Sequence, residues 1–207
     1  MTTTDDAAAA ELLEEYRQAG GYGQTIPDIP NSVSLTPPAV EVVAQWLSEL
    51  EKRWPGPETE GRELARLSLA NALGRKEARK TSAVPALISQ FDVAKPMSAR
   101  TRWAAGNSIY EIPAGIDYFD QLADIAANRA FGADRQMVVG WLGKSRHPRA
   151  AEVALAQLDD TDVQGHALDA LAKLRPQGVR EQIEPFLTSK NKWHRRTAER
   201  IARYDES

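Results

Sequence analysis

Five segments of this chain repeat one pattern, and the interval between them leaves few folds open. The strings LSLANALGR, RWAAGNSIY, RQMVVGWLGK, QGHALDALAK and HRRTAERIAR align with Leu73, Ile109, Leu142, Leu171 and Ile201 in a single column. The column members lie 36, 33, 29 and 30 residues apart, enough for two short helices and two turns. Seven residues before the anchors stand Arg66, Arg102, Arg135, Gln164 and His194, four or five of them long polar donors. Apolar residues recur at i, i+3, i+4 and i+7, the period of a helix with one buried face. A partner helix is predicted ahead of most of these segments, over 38–54, 84–91, 116–127, 151–158 and 179–187. One helical hairpin cannot bury both of its apolar faces, so hairpins of this length stack and each covers the next. The pattern therefore predicts an all-α chain, with 66–74, 102–110, 135–143, 164–172 and 194–202 as equivalent helices.

Ahead of the repeats, residues 5–19 read as one helix stopped by Gly20-Gly21, and 20–37 as a Pro- and Gly-rich arm. This divides the chain into a capping segment, 1–37, and a repeat region, 38–207, in a single compact whole. Trp54-Pro55-Gly56-Pro57 is the sharpest break inside the repeats. The last helix has Thr197 and Arg200 among its core positions, beside Trp193, Ile201 and Tyr204, as suits a terminal cap. No repeat is cut short, which reads as a whole protein acting as a monomer.

Composition removes several classes of function. The absence of cysteine rules out disulfides, thiolate metal sites and cysteine nucleophiles. A net charge of -3 argues against a surface built throughout to neutralise phosphates. There is no long apolar run and no secretory leader, so the expected setting is the cytoplasm, without a membrane partner. Charge is nonetheless uneven. Residues 1–15 hold five acids and no base, whereas 190–203 hold six bases against Glu199. These ends suit helix macrodipoles; alternatively Lys190, Lys192, Arg195 and Arg196 contact an anionic partner.

Asp159-Asp160-Thr161-Asp162-Val163 followed by Ala170-Leu171, and Ala72-Leu73-Gly74-Arg75, resemble HEAT repeats of the short bacterial kind. The resemblance covers about residues 38–204. It implies a right-handed α-solenoid of about five HEAT-like hairpins whose second helices line a concave groove. It implies a role in binding, as an adaptor, scaffold or inhibitor of another protein, and no cofactor.

At 100° per residue, the positions six and two before each anchor and one after it point away from the core. They bring Trp103, Asn107 and Tyr110 to the groove as an aromatic–amide–aromatic stripe, with Gln136 and Asp169 as polar rim. Gly140, Gly143 and Gly165 follow at corresponding positions. Either they form a bare floor for an extended peptide, or close packing of the inner helices demands small residues. The arginines at 66, 102 and 135 read as a structural ladder to turn carbonyls and acids. No histidine pairs with a glutamate at ligand spacing, which argues against a metal, and no phosphate loop, nucleophile elbow or paired-carboxylate motif occurs. One enzyme class shares this architecture: the helical-repeat DNA glycosylases, with Trp side chains and a catalytic Asp on a basic concave face. Trp103 and Asp169 are the residues to cast in those roles. Among the groove positions, however, Arg195 is the single base, beside Asp169 and Glu199. The leading expectation is a protein- or peptide-binding module, the alternative a nucleic-acid binder or base-excision enzyme.

Overall fold

Each segment with helical periodicity folds as a helix in the computed structural model, which describes residues 3–112 and 114–205. Among these residues there is no strand, and the fold is all-α. No helix among them is long and apolar enough to cross a membrane. The chain forms two compact units, Met1–Ala114 and Gly115–Ser207. The boundary falls inside the stretch read as continuous repeats, and the N-terminal arm is part of the first unit.

The first unit comprises α1 (Thr3–Gln18), α2 (Pro37–Ser48), α3 (Leu50–Arg53), α4 (Glu60–Ala72), α5 (Ala83–Ile88) and α6 (Ala99–Glu111). Caps set three of the starts. The hydroxyls of Thr36, Thr59 and Ser98 accept the N–H groups of Ala39, Arg62 and Thr101, donors that have no partner within the helix. Pro37 and Pro38 occupy the first turn of α2, where a missing N–H costs nothing. The helix expected over 38–54 breaks at Glu49 (φ -106°, ψ 15°) into α2 and α3. Hairpins α2/α4 and α5/α6 then pack first helix on first and second on second.

Tryptophans latch α1 to this frame. Trp46 Nε1 donates to Glu15 Oε2 at 2.8 Å, and Arg53 grips the same carboxylate while lying 4.7 Å from the Trp46 ring centroid. Trp54 Nε1 and the Thr59 hydroxyl both donate to Asp5 Oδ1 at 2.9 Å, and Asp5 is buried. Two acids of the N-terminal run are thus also acceptors for distant side chains, while Asp5 and Asp6 stand in the first turn of α1 as the macrodipole favours. The arm makes a 3-10 turn, Ile26–Asn31, whose Ile26 and Ile29 are buried, and the turn packs on α4. Arg75 holds it by donating to the Ser32 carbonyl, and Thr36 Oγ1 donates to the Ala19 carbonyl at 2.6 Å.

The second unit comprises α7 (Phe119–Ala127), α8 (Gln136–Trp141) prolonged by a 3-10 turn (Leu142–Lys144), α9 (Ala150–Leu155), α10 (Gln164–Leu174), α11 (Arg180–Leu187) and α12 (Lys192–Asp205). Helix α10 is central, touching α8, α9 and α12. All five anchors are buried in their respective units: Leu73, Ile109, Leu142 and Leu171 fully, Ile201 to within 1%.

Close approach explains the glycines. A Cβ on Gly143 would stand 2.8 Å from Ala170 Cα, and one on Gly165 would stand 2.4 Å from the Trp193 ring. In the first unit, a Cβ on Gly74 would meet Ser108 Oγ at 2.8 Å. Real Cβ atoms essentially never stand that close to a neighbour, so these glycines face neighbouring helices; for Gly143 and Gly165 the bare-floor reading gives way to the packing one, and Gly140 is buried.

The same polar device recurs in each unit. Arg66 and Arg135 are fully buried. Arg66 Nη1 donates to Gln90 Oε1 at 3.1 Å and its other nitrogens reach Glu58; Arg135 Nη1 donates to Gln157 Oε1 at 3.0 Å and Nη2 to Asp160. Each glutamine also donates to the carbonyl four residues back, Ala86 or Val153. A guanidinium out of water is tolerated only when most of its donors are bonded; of these two, Arg135 leaves its buried Nε without a hydrogen-bond partner. Arg102 departs from the pattern, reaching the carbonyls of Asp92 and Lys95 at 3.5 Å each.

Candidate functional site

Helix α6 separates its residues sharply by side. Thr101, Ala104, Ala105, Gly106, Ser108 and Ile109 are buried, and their small size lets α6 close on α4, where Ser108 Oγ donates to the Ala70 carbonyl at 2.8 Å. The opposite side carries Trp103, 39% exposed, with Asn107 and Tyr110 half-buried one and two turns on. The stripe expected from helical geometry is therefore on the open side of α6. Glu63 fixes the start of the helix, accepting from the Ser98 N–H at 3.2 Å and from the hydroxyls of Ser98 and Thr101. Burial works to raise the Glu63 carboxyl, but those hydrogen bonds outweigh it and hold its pKa below the usual range. Nearby chemistry is balanced: Lys95 lies 3.7 Å from Glu51, and burial pushes its ammonium below the ordinary lysine range.

The remaining candidates lie in the second unit and are more tied. Gln136 Nε2 donates to the Asp162 carbonyl at 2.7 Å. Asp169 faces α12, with Thr197 Oγ1 at 3.4 Å and an Arg200 nitrogen at 3.8 Å. Arg195 bonds the Ser189 carbonyl at 2.6 Å, whereas Lys190, Lys192 and Arg196 are exposed. Trp193, expected among the core positions of the last helix, is 42% exposed because it opens α12 at the edge of the α10 contact. Its ring lies 5.6 Å from His166, edge to face, and 5.4 Å from His194. Burial holds both imidazoles below the usual histidine range, with Asp169 opposing it.

Two concavities accompany these faces. In the first unit an apolar cavity of about 310 Å³ lies between α1, the arm and α4, lined by Leu13, Ile26, Trp54 and Leu64. In the second, a shallow cleft of about 530 Å³ runs between α9 and α11, with Leu155, Pro185 and Phe186 on its walls. Among the described residues no group of three or more His, Asp or Glu side chains is placed to hold a metal ion. No family model, no curated protein and no solved structure matches the chain.

Proposed function

We propose that this protein is a non-enzymatic binding module, an adaptor, scaffold or inhibitor built from HEAT-like helical hairpins in a right-handed solenoid. Its contact surface for a partner protein or peptide is the open side of α6. The reading is supported by the paired packing of hairpins within each unit and by the repeated Arg–Gln bond. One observation carries the functional part: Trp103 is 39% exposed on a helix whose opposite side is wholly buried. A large aromatic held on rigid backbone gives much contact area for little lost entropy, which is why such residues dominate interface energetics. Asn107 and Tyr110 supply polar register beside it. Gln136 and Asp169 are bound within their own unit and are left out of the surface.

The test is a Trp103→Ala variant used with the unaltered protein as bait in native lysate, followed by affinity measurement on any partner captured. The expected result is an unchanged melting temperature with binding weakened by about 2 kcal/mol or more, the size of an aromatic hot spot. A variant that loses several kcal/mol of stability, or that keeps the partner at full affinity, overturns the reading.

A further inference from the structure

Most cations of the second unit are tied to internal partners. Arg129 pairs with Asp159, Arg135 with Asp160, Arg149 with Asp120, Arg180 with Glu184 and Arg200 with Asp169. Arg175 lies 4.5 Å over the Tyr204 ring. Lys190, Lys192, Arg196 and Arg203 differ: all four are exposed, and none makes a hydrogen bond or ion pair to a described residue. They gather at one helix. Lys190 precedes α12, and Lys192, Arg196 and Arg203 recur along its exposed side together with Arg200, interrupted by Glu199 alone. At 1.5 Å per residue the cations from 192 to 203 extend over roughly 16 Å. At the start of this row stands Trp193, half open to solvent and fixed from behind by Gly165, His166 and His194.

We propose that this face of α12 binds single-stranded nucleic acid, its free cations taking successive phosphates and Trp193 stacking on a base. Free cations in a row beside a rigid, half-exposed aromatic are the two parts that sequence-tolerant single-strand binding requires. Neither rival occupant uses both. An acidic peptide would match the cations and leave the indole without a stacking partner. A membrane surface would need an apolar side to enter it, and on α12 that side (Ala198, Ile201 and Ala202) is buried in the unit. The protein's net charge of -3 weakens attraction at long range and leaves the local row intact. This site is independent of the α6 surface and stands or falls separately.

The test uses the full chain and a fluorescently labelled fifteen-nucleotide oligothymidylate, followed by anisotropy from 50 to 300 mM salt. Expected are a Kd on the order of 10⁻⁵ M at the low-salt end and a log–log salt slope of about -2 to -3, from 0.7 per neutralised phosphate. Tryptophan emission is expected to fall on binding. Lys192→Glu with Arg196→Glu should weaken binding at least about tenfold, and Trp193→Leu at least about fivefold, the lower end for a lost stack. The charge-reversal pair touches no buried contact, so it decides the matter if Trp193→Leu fails to fold. A polyglutamate peptide and phosphatidylserine vesicles serve as rivals. The proposal is overturned by no oligonucleotide binding at 50 mM salt, by binding that ignores the charge reversal, or by equal or tighter binding of either rival.

Discussion

Replacing Gly143 by Ala adds one methyl where the two neighbouring segments nearly touch. The new Cβ would stand 2.8 Å from Ala170 Cα and 3.2 Å from the Ala170 carbonyl oxygen, with Lys173 Cδ at 3.0 Å. The lysine can swing aside, but the other two atoms belong to the backbone of α10. Carbon atoms pack without strain at about 3.5–4.0 Å, so α10 and the 142–144 turn must part by about half an ångström or more. Overpacking of this kind costs about 1–3 kcal/mol. Against it stands the gain from removing a glycine from helical backbone, about 0.5–1 kcal/mol. The balance is a net destabilisation of about 1–2 kcal/mol. For a unit of this size unfolding by itself, that lowers the melting temperature by roughly 4–8 °C per kcal/mol. Gly115→Ala is the matched control, because a Cβ there meets nothing within 4 Å and the backbone φ of -66° suits alanine. It should be neutral or slightly stabilising. Urea unfolding followed by circular dichroism compares the two. Were Gly143→Ala as stable as the parent, the glycine would face open space and the packing argument would fail.

Leu171 is fully buried in α10, so Leu171→Ala should cost about 2–5 kcal/mol. Hydrogen exchange should quicken within Gly115–Ser207 and stay near parental in Met1–Ala114; a uniform rise over the chain would contradict nearest-neighbour stabilisation. The second unit should also weaken in mild acid. Burial sets the folded-state pKa of His166 and His194 below the unfolded value of about 6.5, so between the two the unfolded chain binds more protons. The stabilisation is complete above about pH 6.5 and is lost as pH falls through the folded-state values. Urea midpoints should drop from pH 7.5 to 5.5, and His166→Gln with His194→Gln should flatten the profile. An unchanged slope in that double variant would refute the assignment. Glu51 and Glu63, whose pKa values are lowered, carry stability that is lost only below about pH 4.5, outside this window.

What the sequence determined by itself is the set of positions whose surroundings repeat. The anchors Leu73 to Ile201, the helical character of every repeated segment and the ladder arginines at 66 and 135 were legible because a 3.6-residue period and a roughly thirty-residue interval are local quantities. The stripe of Trp103, Asn107 and Tyr110 was legible for the same reason: with one side of α6 made of mostly small residues around Ile109, geometry fixes the other. Pairings across long separations were not. That Asp5 would accept from Trp54, that Glu15 would hold Trp46 and Arg53, and that the arm would dock on α4 depend on contacts between residues about thirty to fifty positions apart. No local pattern encodes such contacts. The glycines are the clearest case. In sequence, Gly143 and Gly165 admit both an empty groove and a crowded contact, since the absence of a side chain does not say what fills the space. The tertiary structure decided it by bringing Ala170 and Trp193 into that space, because hairpins can bury their apolar sides only by closing on one another.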